Sequence, residues 1–264
     1  MKSKYFDIGV NLTHPSLFKD LENILRKSFE SGVDKLSITG TDLEESIKAI
    51  EICEQSSFDL ICTAGIHPHQ AKTFNNETFS EIKKLFKNDK VKALGETGLD
   101  FHRNYSTPDQ QQISFEAHLE FSIEEKIPLF LHVRDSHKKF MEMVKPISDK
   151  LPEKVIHCFT GTKDELFDYL NMDFYIGITG WVLDERRGFH LKELINEIPL
   201  NRLMIETDAP YLIPRIPELK NKRTNKPEYL PIICKEICRN RKEHEDEVID
   251  SMYMNSMNFF RLES

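Results

Sequence analysis

The stretch Val91-Lys92-Ala93-Leu94-Gly95-Glu96-Thr97-Gly98-Leu99-Asp100 decides the architecture. A short apolar run leads into a carboxylate, Glu96, between two glycines, and reads as a buried strand that stops where the polar residues begin. A charge at the end of a buried strand is costly unless it is paired or bound to a metal. Three further apolar runs end in a similar way. Residues 128–132 (PLFLH) deliver His132, residues 154–159 (KVIHCF) deliver His157, and residues 203–207 (LMIET) run up to Asp208. Four strand ends each carrying one metal-capable side chain is a pattern that the rest of the chain should explain.

Residues 5–12, 34–40, 59–66 and 174–179 read as four more strands. Helical signals separate the strands. Leu17, Leu21, Leu25 and Phe29 recur at helical spacing, and Asp42 with Glu45 and Thr162 with Glu165 form capping pairs. Thr107-Pro108-Asp109-Gln110 combines a cap, a first-turn proline and a capping-box glutamine. Eight strands alternating with helices predict an α/β fold, a parallel TIM-type (β/α)8 barrel, as a single domain over residues 1–264. Chemistry in such a barrel lies at the C-terminal strand ends. Asn11, Thr13, His67, Glu96, His132, His157 and Asp208 all fall there. Strand alternation turns Cys158 away from that face, and Arg186-Arg187 reads as the start of a helix.

At 264 residues, 39% hydrophobic and 30% charged, the composition is that of an ordinary globular chain. No apolar run approaches the ~20 residues that span a bilayer, and no secretory leader is visible, so no membrane association is expected. Five scattered cysteines point to a reducing compartment, hence a cytoplasmic location. A net charge of −8 argues against nonspecific coating of nucleic acid. A local basic stretch remains, from Arg215 to Lys226 (RIPELKNKRTNK), including Arg223. It follows the Asp208 strand and so belongs on the rim of the site. No exposed apolar stripe stands out, so a monomer is expected.

The motifs, taken in order, resemble the TatD family of metal-dependent deoxyribonucleases, within the metal-dependent hydrolase barrels. The match includes Phe6-Asp7-Ile8-Gly9-Val10-Asn11, Gly65-Ile66-His67-Pro68-His69 and Gly95-Glu96-Thr97-Gly98-Leu99-Asp100. It continues through His132-Val133-Arg134-Asp135, His157-Cys158-Phe159-Thr160-Gly161-Thr162 and Glu206-Thr207-Asp208-Ala209-Pro210-Tyr211. The resemblance implies that Glu96, His132 and His157 bind one divalent metal and that Glu96 and Asp208 face a second. It also implies that Asp208 orients a metal-activated water, and that His67 lies near the scissile phosphate. Oxygen-rich ligation favours Mg2+ or Mn2+, with Zn2+ an alternative at the His132/His157 position. Many relatives have His-x-His on the first strand; Asn11-Leu12-Thr13 here implies a weaker second metal position, with one or two ions per chain.

Arg134 and Arg103 have two readings, as surface ion pairs or as phosphate contacts; Arg223, within the basic stretch, reads as part of a solvated loop or as a rim cation holding a nucleic-acid backbone, and Trp181 as core or as a stacking face for a base. The expected activity is hydrolysis of DNA phosphodiesters, as a 3′→5′ exonuclease on single-stranded or frayed ends, with RNA as a further substrate. Two competing readings are a barrel hydrolase of small phosphate esters, amides or aminoacyl esters, and a binding protein without catalysis. The basic rim favours a polyanion over the former, and retention of all four metal-capable residues argues against the latter.

Overall fold

The structure, a computed structural model, describes residues 4–186 and 188–263. Its eight strands are β1 (Tyr5–Val10), β2 (Val33–Ile38), β3 (Leu60–Ala64), β4 (Val91–Asp100), β5 (Leu129–Arg134), β6 (Lys154–Ile156), β7 (Tyr175–Ile178) and β8 (Leu203–Ile205). They lie in one sheet in sequence order, and each neighbouring pair is parallel. Where β8 returns to β1 the backbone bonds lie at and beyond the strand ends. The Asp208 N–H donates to Gly9 O at 2.9 Å and the Asn11 N–H to Ala209 O at 2.8 Å. The expected (β/α)8 barrel is the fold observed.

Two apolar layers hold it. Inside the barrel, Phe6, Ile8, Ile61, Ala93, Phe130, Val155, Tyr175 and Met204 pack together. The C-terminal helix Glu245–Phe259 closes the floor, with Phe260 stacked 5.3 Å from Phe6. Outside, the alternate strand residues pack against the helices in a continuous cluster. The capping signals are realised: Thr107 and Thr162 form complete capping boxes, and Asp42 accepts from the Glu45 N–H. The first helical stretch is instead two pieces, Pro15–Phe18 and Leu21–Glu30, because His14 caps the first and the chain breaks at Lys19-Asp20. Among the described residues no helix is long and apolar enough to cross a membrane.

Arg186 does not open a helix. It lies in a turn with its guanidinium on Asp184, and the next helix begins at Phe189; Arg187 lies outside the described residues. The β6 and β8 strands also stop short of the sequence expectation, at Ile156 and Ile205. The backbone turns left-handed at Cys158 (φ 48°) and Asp208 (φ 52°), which ends the pleat.

Candidate active site

Glu96 sits in the mouth of the barrel on β4, almost fully buried. Gly95 and Gly98 let it get there. Both hold positive φ, 150° and 135°, and a Cβ at either would collide with a β5 carbonyl, that of Phe130 or His132. Three imidazoles converge on one oxygen of Glu96. His132 Nδ1 and His157 Nε2 each lie 2.7 Å from Oε1, and His67 Nε2 lies 3.1 Å from it. Burial alone would raise the Glu96 pKa, but the His157 and His67 imidazoles and the hydrogen bonds from His132 and His157 hold it well below the usual range.

The outer nitrogens of two of these rings face further carboxylates. His132 Nε2 lies 3.3 Å from Asp100 Oδ2, an ion-pair distance whose geometry makes no hydrogen bond, so this buried nitrogen is unpartnered. His157 Nδ1 lies 3.3 Å from Glu206 Oε2. Burial works against charge on both rings, but their carboxylate neighbours prevail and raise both pKa values. His67 goes the other way: burial pushes it down to about 4 despite Glu96. Its Nδ1 accepts from the His69 N–H at 3.0 Å, which leaves the ring proton on Nε2. His69 itself turns to Asp100 Oδ2, at 2.7 Å.

Asp208 approaches from the opposite wall. Its Oδ1 accepts from Asn11 Nδ2 at 3.1 Å. Burial and the Glu96 and Glu206 charges, opposed by His157, raise its pKa to about 7. Thus Asn11 offers the site no nitrogen lone pair; its amide group steadies Asp208 and the Ala209 carbonyl. His14 caps a helix by accepting from the Ser16 N–H, away from the cluster.

Buried carboxylates facing imidazoles in this way suit a divalent cation. The ligand atoms of His67, Glu96 and His132 all lie within 4.8 Å of one another, close enough to hold one ion. His157 Nε2 reaches the same Glu96 oxygen. The structure therefore brings together the four strand-end residues and His67. Arg103 and Arg223 are exposed. Arg134, at the end of β5, has no ion-pair partner among the described residues and lines a cavity of about 570 Å³ with His102, Thr160, Trp181 and His190. None of the four strand-end residues lines this cavity, although Val133 and Ile156, the neighbours of His132 and His157 in the chain, do.

Cys158 corrects an expectation. It does not turn away from the site: with its backbone left-handed, alternation no longer applies. Its thiol lies 3.9 Å from Thr179 Oγ1, where burial, Asp208 and Glu206 push its pKa up. Three buried residues escaped the sequence reading. His118 Nε2 accepts from the Ile66 N–H at 3.1 Å and so anchors the turn before His67. Asp7 and Glu206 are buried carboxylates inside strand-like runs. Their signal was a charge in an apolar segment with strand glycines nearby, Gly9 and Gly177.

A model of the TatD related DNase family matches residues 6–261. The chain belongs to the TatD family. It is 47% identical over 239 residues to the 3′-5′ ssDNA/RNA exonuclease TatD of Enterobacter lignolyticus, covering 90% of this chain and 92% of the relative. The TatD exonuclease of Escherichia coli K12 is 46% identical with the same coverage, and that of Dickeya dadantii 44% identical over 97% of both chains. In fold, a TatD homologue from Escherichia coli K12 superposes over the whole of both chains with a TM-score of 0.91 at 24% identity. A TatD-family hydrolase from Entamoeba histolytica superposes over 98% of both chains with a TM-score of 0.87 at 27% identity. Membership of the TatD family makes this barrel a metal-dependent hydrolase acting on phosphodiester bonds.

Proposed function

We propose that the chain is a metal-dependent 3′→5′ exonuclease on single-stranded or frayed DNA, with RNA as a further substrate. The observation that carries this reading is the convergence of His67, His132 and His157 on Glu96, with Asp208 opposite, in a chain 47% identical to a relative that bears the exonuclease name.

Glu96, His132 and His157 would hold a divalent ion, with Asp208 contributing from the far wall. Mg2+ or Mn2+ suits the oxygen-rich position between Glu96 and Asp208, and Zn2+ is an alternative beside the two histidines. Such an ion supplies Lewis-acid polarisation of a phosphoryl group and lowers the pKa of a nearby water. The remaining steps belong to side chains. Asp208, with its Oδ1 on Asn11 Nδ2, is placed to orient the attacking water and accept its proton. His67 is within reach of Glu96 by distance, but its ring proton sits on Nε2, so it acts as a neutral donor to a phosphoryl oxygen rather than as a ligand. Arg134 and Trp181 on the adjoining cavity would receive a neighbouring phosphate and base. Tyr105 and Tyr211, more than half exposed near the mouth, offer faces to unpaired bases. Arg103 and Arg223 would meet the strand farther out.

The test uses a single-stranded DNA oligomer labelled at either end, incubated with Mg2+, with Mn2+ or with EDTA. The expected result is progressive shortening from the 3′ end that needs the metal. Activity equal in wild type and in Glu96→Ala protein purified in parallel, or silence of both on DNA and RNA, would sink the proposal.

A further inference from the structure

Glu206 is a fully buried carboxylate with two tasks visible in its contacts. Its Oε1 accepts the Cys158 N–H at 2.5 Å, and its Oε2 lies 3.3 Å from His157 Nδ1. The barrel is shaped around it. A Cβ on Gly9 would stand 2.5 Å from Oε2, and one on Gly177 would stand 2.7 Å from Oε1. The two glycines, on the strands either side of β8, thus leave the space that this carboxylate occupies. On the other face of the ring, His157 Nε2 points at Glu96.

We propose that Glu206 is a positioning residue that keeps the ring proton of His157 on Nδ1 and so leaves Nε2 free to bind a divalent cation. The inference rests on the reading of His157 as a ligand given above. The logic is that of a carboxylate behind a ligating imidazole: the acceptor at the outer nitrogen sets the tautomer and the ring orientation. It also separates this role from simple bracing. Glutamine has the same shape but one acceptor and one donor. The Cys158 N–H, fixed in the backbone, must keep the carbonyl oxygen, because an amide N–H there would face another donor. The side-chain NH2 then faces His157 Nδ1, which has to accept, and the ring proton moves to Nε2. Glu206→Gln therefore preserves the brace and inverts the tautomer.

The experiment is calorimetric titration of metal-free protein with Mn2+ and with Zn2+. Wild type, Glu206→Gln, His157→Ala and the double variant are compared, with thermal unfolding of each metal-free protein. The expected result is affinity about 10- to 100-fold weaker in Glu206→Gln. Its melting temperature should stay within about 3 °C of wild type, and the Gln substitution should add less than about twofold once His157 is alanine. Affinity within about twofold of wild type overturns the proposal. So does an equal loss with and without His157, which would mean that Glu206 acts by another route. Should Glu206→Gln not fold, Gly9→Ala makes a parallel test by displacing Oε2, the oxygen that faces His157, without removing the carboxylate. A wild type that takes up neither ion overturns the inference together with the metal-dependent reading. One that binds tightly but leaves DNA intact overturns only the nuclease reading.

Discussion

On the β4–β6 side of the barrel mouth, Glu96 is met by three imidazoles, and Asp100 behind it by two more imidazole contacts and two backbone N–H groups. Both carboxylates are held well below their usual pKa range against the effect of burial. On the β8–β1 side, Asp208 has one neutral amide donor, and Asp7 is satisfied by the Thr207 N–H and hydroxyl. Burial there prevails: Asp208 rises to about 7 and Asp7 to about 8. The difference lies in where positive charge comes from. One wall carries its own imidazoles and is charge-balanced in advance. On the other, burial outweighs the partners, and the carboxylates keep their protons to higher pH. The first strand contributes to the asymmetry, since it ends in Asn11-Leu12-Thr13 and sets an amide, not an imidazole, against Asp208.

The largest effect tests the balanced wall. Glu96→Ala removes the acceptor shared by His67, His132 and His157. Metal-dependent cleavage should fall by about three orders of magnitude or more. The imidazoles should also lose their partner, so the elevated pKa values of His132 and His157 should drop in a histidine NMR titration of metal-free protein. Cleavage retained within about tenfold would show that Glu96 is not the centre of the site.

The next test breaks the comparison from the other wall. Asp7 lies at the β1/β8 seam, where it accepts the Thr207 N–H at 2.8 Å and the Thr207 hydroxyl at 2.5 Å. Its folded pKa of about 8 exceeds the ~3.9 of an unfolded chain, so the native state binds the proton more tightly. Its contribution is then full below about pH 4, declines as pH rises and is lost by about pH 8, at up to about 1.4 kcal/mol per pH unit. Asn mimics the protonated form. In EDTA, Asp7→Asn should therefore gain on wild type by a few kcal/mol between pH 5 and pH 8 in denaturant unfolding. A stability difference that stays flat across that range would mean that Asp7 is ionised in the fold.

What the sequence made legible was the balanced wall. Apolar runs ending in Glu96, His132 and His157 carry their signal in the residues themselves, and capping pairs such as Thr107 with Gln110 announce themselves locally. The β8–β1 wall was harder because its logic depends on closure. Asp7 and Thr207 are 200 residues apart and meet only when the last strand returns to the first. Glu206 looked like one more polar residue at the end of an apolar run, and its purpose depends on Gly9 and Gly177 on β1 and β7, the strands that flank β8. Cys158 was misplaced for a related reason. Alternation holds while the pleat continues, and the pleat stops where a ligand-bearing turn adopts positive φ.

The smallest expected effect sharpens the comparison by making the two walls more alike. Asn11 now donates to Asp208 and to the Ala209 carbonyl, and supplies no lone pair on nitrogen. In Asn11→His an imidazole replaces it beside a carboxylate whose pKa is already raised. A nearby imidazolium would lower the Asp208 pKa from about 7, while a neutral ring would add a nitrogen donor for a cation. Either change moves the β8–β1 wall toward the state of its counterpart. The expected outcome in a Zn2+ titration is a second binding event tightened by about three- to tenfold, with the first unchanged within error, because the Glu96 contacts are not altered. Zinc is the sharper probe than magnesium, since it gains more from exchanging an amide for an imidazole. If the second event does not tighten, the scarcity of imidazoles on this wall is not what limits its hold on a cation, and the explanation would pass to the Asp208 backbone, fixed at φ 52° by the turn into Pro210.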